Sequence, residues 1–365
     1  SEQSRTKFLV VVLLSLALAA GIAACGGSDE GGSSDGGEAS AATDGKILGA
    51  GSTAQELAQE LWTEEFNAGS APIAYEAVGS EEGRQRFLEG EVAFAGVDTP
   101  LQGDELSEAA DRCRPGELIE LPVYVSAVTI FANLRLTGME LSPQTLAKVL
   151  NGEITRWDDP TIKRENPTIG PIGLPPKLTI TPVGLSDEPA ITELITTYLA
   201  DEAPDVWDYD ASGQWPIEGG ETTGDVTTVS EAVGQEDGTI GYSDFSHVGQ
   251  LFGLVRIPVN GLFLEPNLLV TTRRLAGARV DTDLSSGPKT FPIELKPTVP
   301  AGAYPLVLVS YLIACTAYDS DRESSAVDAY VKYLMSRKAQ EVAAEKVGSA
   351  YLPLALRREI VAAIY

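Results

Sequence analysis

The sequence predicts an α/β chain long enough for two lobes, and three observations carry that expectation. Between residues 47 and 101, apolar strand-like segments, glycine or polar turns and amphipathic helical segments alternate, the pattern of a largely parallel sheet covered by helices. Beyond an apolar leader and a polar tether, roughly 320 residues remain, enough for two lobes with substantial cores. The turns carry hydroxyls and a carboxylate at the carboxyl ends of the strands, where such folds bind ligands.

In chain order, residues 1–24 come first. Arg5 and Lys7 precede an apolar run from Phe8 to Ala20, and small residues lead to Cys25. A basic start, a short apolar core and small residues before the cut predict a signal peptide rather than a spanning helix. Ile22-Ala23-Ala24-Cys25 resembles a bacterial lipobox, which implies that Cys25 is acylated and becomes the mature N-terminus. Residues 25–45 are nearly all Gly, Ser, Ala, Asp and Glu, a flexible tether with nothing to bury. The globular part is therefore expected from Lys46.

Residues 47–66 read as a buried strand, a glycine turn and a helix. Gly49 and Gly51 allow the tight turn, Ser52 and Thr53 stand at the N-cap, and leucines and Trp62 follow at helical spacing. A helix start offers unpaired N–H groups, here from about Ala54 onward, and a positive dipole end suited to a small anion. The same residues are also ordinary helix punctuation. Ile73 to Val78 reads as a second strand, followed by a turn with Ser80 and a helix through Phe87 and Leu88; the segment from Val92 is a third strand ending on Asp98. Three loops thus converge, bearing Ser52 with Thr53, Ser80, and Asp98.

Composition excludes several functions. The formal charge of −27 leaves no basic patch for nucleic acid. The one histidine, His247, lies in Gly-Tyr-Ser-Asp-Phe-Ser-His, without a nucleophile-elbow pattern or zinc-ligand spacing. Neither a Walker loop nor a dinucleotide fingerprint is present, so no catalysis, metal or cofactor is expected. With Cys25 assigned to lipid, Cys113 and Cys315 remain as an even pair in an oxidising compartment, either bridged or as two buried thiols.

Several segments carry a family resemblance. Gly49-Ala-Gly-Ser-Thr, Val78-Gly-Ser and Phe94-Ala-Gly-Val-Asp-Thr-Pro-Leu are similar to the three first-lobe motifs of the periplasmic phosphate-binding proteins (PstS) that feed ABC importers. The stretch from Ser142 to Pro160, with Trp157-Asp-Asp-Pro, resembles the most recognisable segment of that family, and Gln214-Trp-Pro, Gly238-Thr-Ile-Gly-Tyr242 and Ala303-Tyr-Pro-Leu306 follow in its order. The resemblance spans nearly all of residues 47–360 and implies a two-lobe periplasmic-binding-protein-like (type II) fold with a hinge and an interlobe cleft. It implies lobe 1 from 46–133 and 304–365, lobe 2 from 134–303, and crossings near Asn133 and Tyr304. Both Cys113 and Cys315 then fall in lobe 1, which favours their disulfide.

The resemblance also implies a ligand set: Ser52, Thr53, Ala54, Ser80 and Asp98 from lobe 1, Ser186 and Asp187 from lobe 2. Hydroxyls and helix N–H groups donate to oxyanion oxygens, while an acceptor-only carboxylate at Asp98 requires a proton on the ligand, which phosphate supplies and sulfate does not. Lobe 2 departs from the pattern. Where the family has an arginine and a glycine-rich turn, this chain has Leu185 and Glu188-Pro189-Ala190, losing a bidentate cation and one N–H donor. Glu81 and Glu82 also stand where small residues are usual, either competing with an anion or stabilising their own helix start, and Arg84 is the nearest replacement cation. The expectation is a monomeric solute-binding lipoprotein, without catalysis, that binds phosphate or a similar small oxyanion. It would be held outside the cytoplasmic membrane through Cys25 and would meet ABC permease subunits. A different small ligand, or a signalling receptor without transport, is the alternative; an exported hydrolase is disfavoured because no base–nucleophile pair is evident.

Overall fold

The computed structural model describes residues 45–67, 72–169, 173–248, 252–285, 287 and 289–365. The expected signal peptide, Cys25 and nearly all of the tether lie outside the described residues. Among the described residues, no helix is long and apolar enough to cross a membrane.

The chain opens with β1 (Ile47–Gly51), α1 (Glu56–Asn67), β2 (Ile73–Ala77), α2 (Ser80–Leu88), β3 (Phe94–Val97), α3 (Gly103–Arg112) and the long β4 (Leu118–Ala132). The middle of the chain contains β5 (Met139–Glu140), α4 (Pro143–Leu150), α5 (Pro160–Glu165), β6 (Thr181–Leu185), α6 (Pro189–Glu202), β7 (Glu221–Thr223), α7 (Val226–Gln235), β8 (Thr239–Asp244), β9 (Gly253–Val259) and β10 (Leu262–Leu264). It closes with α8 (Leu268–Arg274), β11 (Arg279–Val280), β12 (Ile293–Glu294), β13 (Val307–Cys315), α9 (Asp321–Leu334), α10 (Arg337–Val347) and α11 (Leu354–Ile364).

Alternating apolar segments and turns give the parallel trio β2-β1-β3, as a strand–helix–strand chain should. The antiparallel β13 lies between β3 and β4, and the sheet continues through β8, β6 and β7. Gly51 is needed for close approach: a Cβ there would lie 2.0 Å from the Gly96 oxygen, and one on Gly83 would lie 2.2 Å from the Gly51 Cα. These contacts let α2 sit directly on β1, beside the loops that converge.

β4 is shared between two cores. Its first part pairs with β13 and its end, from Val128, pairs with β8. Side chains up to Val125 pack into one core with Trp62, Phe94, Leu312, Tyr330 and Val347. From Ala127 the strand packs into the other, with Trp157, Ile195, Val229 and Tyr242. The core therefore changes inside β4 at Ser126, not near Asn133. Residues 127–132, expected with lobe 1, lie in the second core, because the strand runs unbroken through the waist. Leu275 and Phe291, expected with lobe 2, return to the first core. The start of β13 divides at the same level: Val307 and Val309 belong to the first core, Leu308 and the preceding Leu306 to the second.

The distinctive segment 142–160 builds the second core. Ser142 caps α4, accepting from the Thr145 amide with Pro143 in the first turn, and Asp159 caps α5 ahead of Pro160. Between them the fully buried Trp157 donates from Nε1 to the Gly238 carbonyl at 2.9 Å. In the first core, Cys113 and Cys315 form a disulfide with Cα atoms 5.1 Å apart.

Candidate functional site

Asp98 is the centre of the site. It leaves the carboxyl end of β3 and is 4 % exposed. Ser52, just past β1, donates to its Oδ1 at 2.9 Å; Ser80, opening α2, donates to Oδ2 at 2.8 Å; Ser310, in β13, donates to Oδ1 at 2.5 Å. A carboxylate offers about four lone-pair positions, so these three hydroxyls leave room for one further donor. Burial raises the Asp98 pKa, and the three hydroxyl donors oppose that rise. The loop before α1 is fixed as well: the Ser52 oxygen Oγ accepts from the Gln55 amide, its amide donates to the Gly96 carbonyl, and its carbonyl accepts from the Tyr75 phenol.

The sequence-predicted lobe 1 residues are thus brought together: Ser52, Ser80 and Asp98 bond directly, and the buried Thr53 and Ala54 lie next along the same turn. Arg84 does not join them. Its guanidinium bonds Glu105 at 3.1 Å, Glu81 at 3.4 Å and the Thr99 hydroxyl at 2.8 Å. Glu82 pairs with Arg86 one turn on, at 2.8 Å. Glu81 and Glu82 therefore serve the arginines of their own helix.

In the other core, the expected ligands Ser186 and Asp187 are exposed and face each other, with Ser186 donating to Asp187 Oδ1 at 2.8 Å. Their amides are spent on the carbonyls of Thr223 and Gly224, the Leu185 amide donates to the Tyr242 phenol, and Pro189 has no amide proton. The turn that carries an anion's donors in the resemblance is here sealed against the end of β7. The side chain that crosses is Glu188. It is the N-cap residue of α6 but makes no cap bond to its own helix; instead its Oε1 accepts from the Thr53 hydroxyl. Glu188 is 1 % exposed, and Oε2 is buried without a hydrogen-bond partner. Burial, reinforced by the nearby Asp98, pushes its pKa up to about 8.

A second buried carboxylate, Asp244, lies at the waist where β8 ends. It accepts from Ser126 of β4, from the Tyr124 phenol at 3.1 Å and from the Ser246 amide at 2.9 Å. His247 stands beside it, Nδ1 3.6 Å from Asp244 and Nε2 3.8 Å from Glu56 at the start of α1. No group of His, Cys, Asp and Glu among the described residues could hold a metal ion.

Sequence reasoning missed two participants. Ser310 had a visible signal, a hydroxyl in the otherwise apolar run Val307–Cys315. The pairing of β13 with β4 shifts register between Ser310 and Tyr311, where Val123 of β4 is passed over, so the ladder is irregular at that point. Glu188 was visible as an acidic residue in the turn, but its reach into the other loop depends on how the two cores meet.

Comparison with known proteins agrees with this architecture. A PBP superfamily domain model matches residues 36–338. The phosphate-binding protein PstS2 of Mycobacterium bovis strain BCG is 30% identical, across 95% of this chain and 96% of its own length. Phosphate-binding protein PstS 3 of Mycobacterium tuberculosis is also 30% identical, across 86% of this chain and 88% of its own. The solved structure of a high affinity periplasmic phosphate-binding protein (PfluDING) superposes with a TM-score of 0.69, covering 87% of this chain and 93% of that one at 21% identity, a likeness of fold. With the two cores, the shared sheet and the hydroxyl-lined Asp98 in place, these matches identify the chain as a member of the PBP superfamily and, within it, of the PstS family of phosphate-binding proteins.

Proposed function

We propose that this chain is the extracytoplasmic solute receptor of an ABC importer and takes phosphate or a similar protonated oxyanion between its two lobes. The observation that carries this reading is Asp98, a buried acceptor at the end of a parallel strand, ringed by three serine hydroxyls and with a helix start beside it. The N–H groups of the adjoining helix start supply donors to oxyanion oxygens, while the serine hydroxyls hold Asp98 in place and its remaining acceptor position selects a ligand that still carries a proton. The anchor through Cys25, a monomeric state and docking on permease subunits belong to the same proposal. The anchor rests on the lipobox-like Ile22-Ala23-Ala24-Cys25, and the docking on the family resemblance. The lobes would move as units about the waist at Ser126 and Leu306, where both strands change core.

Titration calorimetry with phosphate and with sulfate tests the proposal. Phosphate is expected to bind with preference over sulfate, and Asp98→Asn is expected to remove that preference by accepting sulfate as readily. Equal binding of the two anions by the unmodified protein would defeat the assignment of Asp98 as the selector.

A further inference from the structure

We propose that Glu188 is a tethered carboxyl occupant of the anion cradle, which closes the cleft without solute and must be displaced when a free oxyanion enters. This deepens the phosphate reading and rests on it for the identity of the competitor. Three observations support it. The carboxyl stands at the start of α6, a helix of the second core, yet bonds Thr53, in the turn that leads into α1 of the first. It is almost wholly buried, and Oε2 has no partner, so the group fills the space and leaves one oxygen unsatisfied, a cost that a better-matched ligand would relieve. It also occupies the place an oxyanion would take, between the start of α6, whose N–H groups it does not cap, and the residues preceding α1.

The groups facing Glu188 set how closure responds to pH. The charges that face it are acidic: Asp98 after β3, Asp225 at the cap of α7 and Asp244 at the end of β8. Thr53 supplies the hydroxyl, and the Tyr75 phenol on β2 also faces the carboxyl. In the closed form the carboxyl holds its proton up to about 8, whereas a solvated glutamate loses it near 4.3. Closure therefore takes up a proton between those values. It is strongest below the lower one and weakens roughly tenfold per pH unit until the upper one, beyond which it changes no further through this group. His247, facing Glu56 and Asp244, is another ionisable contact between the two cores and needs its own control.

Small-angle scattering of the phosphate-free protein tests the latch, alongside Glu188→Gln and Glu188→Gly. The unmodified protein is expected to be compact at about pH 5 and to expand as pH rises to about 8. Glu188→Gln, which cannot ionise, should stay compact throughout, and Glu188→Gly should be expanded throughout until phosphate is added, binding it at least about tenfold more tightly than the unmodified protein. His247→Gln should retain the pH dependence. Expansion of the unmodified protein at about pH 5 to the dimensions of Glu188→Gly would overturn the latch. So would a pH dependence that survives in Glu188→Gln or disappears in His247→Gln. If the compaction pattern holds but Glu188→Gly ignores phosphate, the latch stands and the phosphate assignment fails.

Discussion

Glu120 shows how a single buried carboxyl couples this fold to pH away from the cleft. Its Oε1 accepts from the Leu101 amide at 2.7 Å, its Oε2 has no partner, and burial raises its pKa to about 7. The unfolded chain releases that proton near its ordinary value and the folded chain holds it longer. The contribution is therefore complete at acidic pH and is lost as pH rises to about 7. A displacement of that size corresponds to a loss on the order of 3 kcal/mol at alkaline pH. Glu120→Gln keeps a hydrogen-bonding side chain and cannot ionise, so it should be more stable than the parent at about pH 8 and nearly equal at about pH 4. Urea denaturation at the two values checks this; an equal difference at both would show that ionisation is not involved. Burial raises the Asp98 pKa as well, but there three hydroxyl donors oppose the rise.

At the scale of elements, the contact between β1 and α2 and the start of α6 carry the consequences. Gly83 meets the Gly51 backbone itself, 2.2 Å from where a Cβ would stand, so no side-chain rotation relieves an added methyl. Gly83→Ala should cost about 1–3 kcal/mol and displace Ser80, which opens the same helix; denaturation together with phosphate titration checks both effects, and unchanged stability would contradict the close approach. The α6 start lacks an arginine at Leu185, an N–H at Pro189 and room at Glu188. Restoring them with Leu185→Arg, Glu188→Gly and Pro189→Ser should tighten phosphate by roughly two to four powers of ten, since hydrogen bonds to charged groups contribute about 1.5–3 kcal/mol each. Calorimetry comparing this triple variant with Glu188→Gly separates the arginine's contribution from the removal of the carboxyl. Leu185 is fully buried, so a triple variant that gains nothing over Glu188→Gly would mean that the new guanidinium cannot turn into the cleft.

For the whole molecule, the disulfide and the shared strands define what moves and what does not. Cys113 and Cys315 are 202 residues apart in sequence yet close one core, joining the end of α3 to the end of β13. Their replacement by serine should cost about 2–5 kcal/mol of stability, read by denaturation of the mature protein, while leaving phosphate affinity within about twofold because the cradle lies at the other end of the strands. β4 and β13 cross from one core to the other as continuous backbone. Under the proposed hinge, rotation would be confined to the residues around Ser126 and Leu306, where Ser126 and Tyr124 bond Asp244.

The sequence by itself determined the α/β class, the alternation of strands and helices from β1 to β3, and the convergence of Ser52, Ser80 and Asp98. Those features are local: apolar periodicity, glycine at tight approaches and hydroxyls at helix starts act over a few residues, and three parallel strands bring their own carboxyl ends together. The segment from Ser142 to Pro160 was legible through its family resemblance, and its caps, glycine turn and buried tryptophan are likewise consecutive. Tertiary structure alone decided the change of core at Ser126, the return of Leu275 and Phe291 to the first core, the turning of Arg84 toward Glu105, and the entry of Glu188 between the lobes. Each depends on which distant surface a residue meets. The residue-188 carboxyl could have capped its own helix, as an acidic residue there commonly does, but packing of the two lobes placed the Thr53 hydroxyl within its reach and excluded water from both.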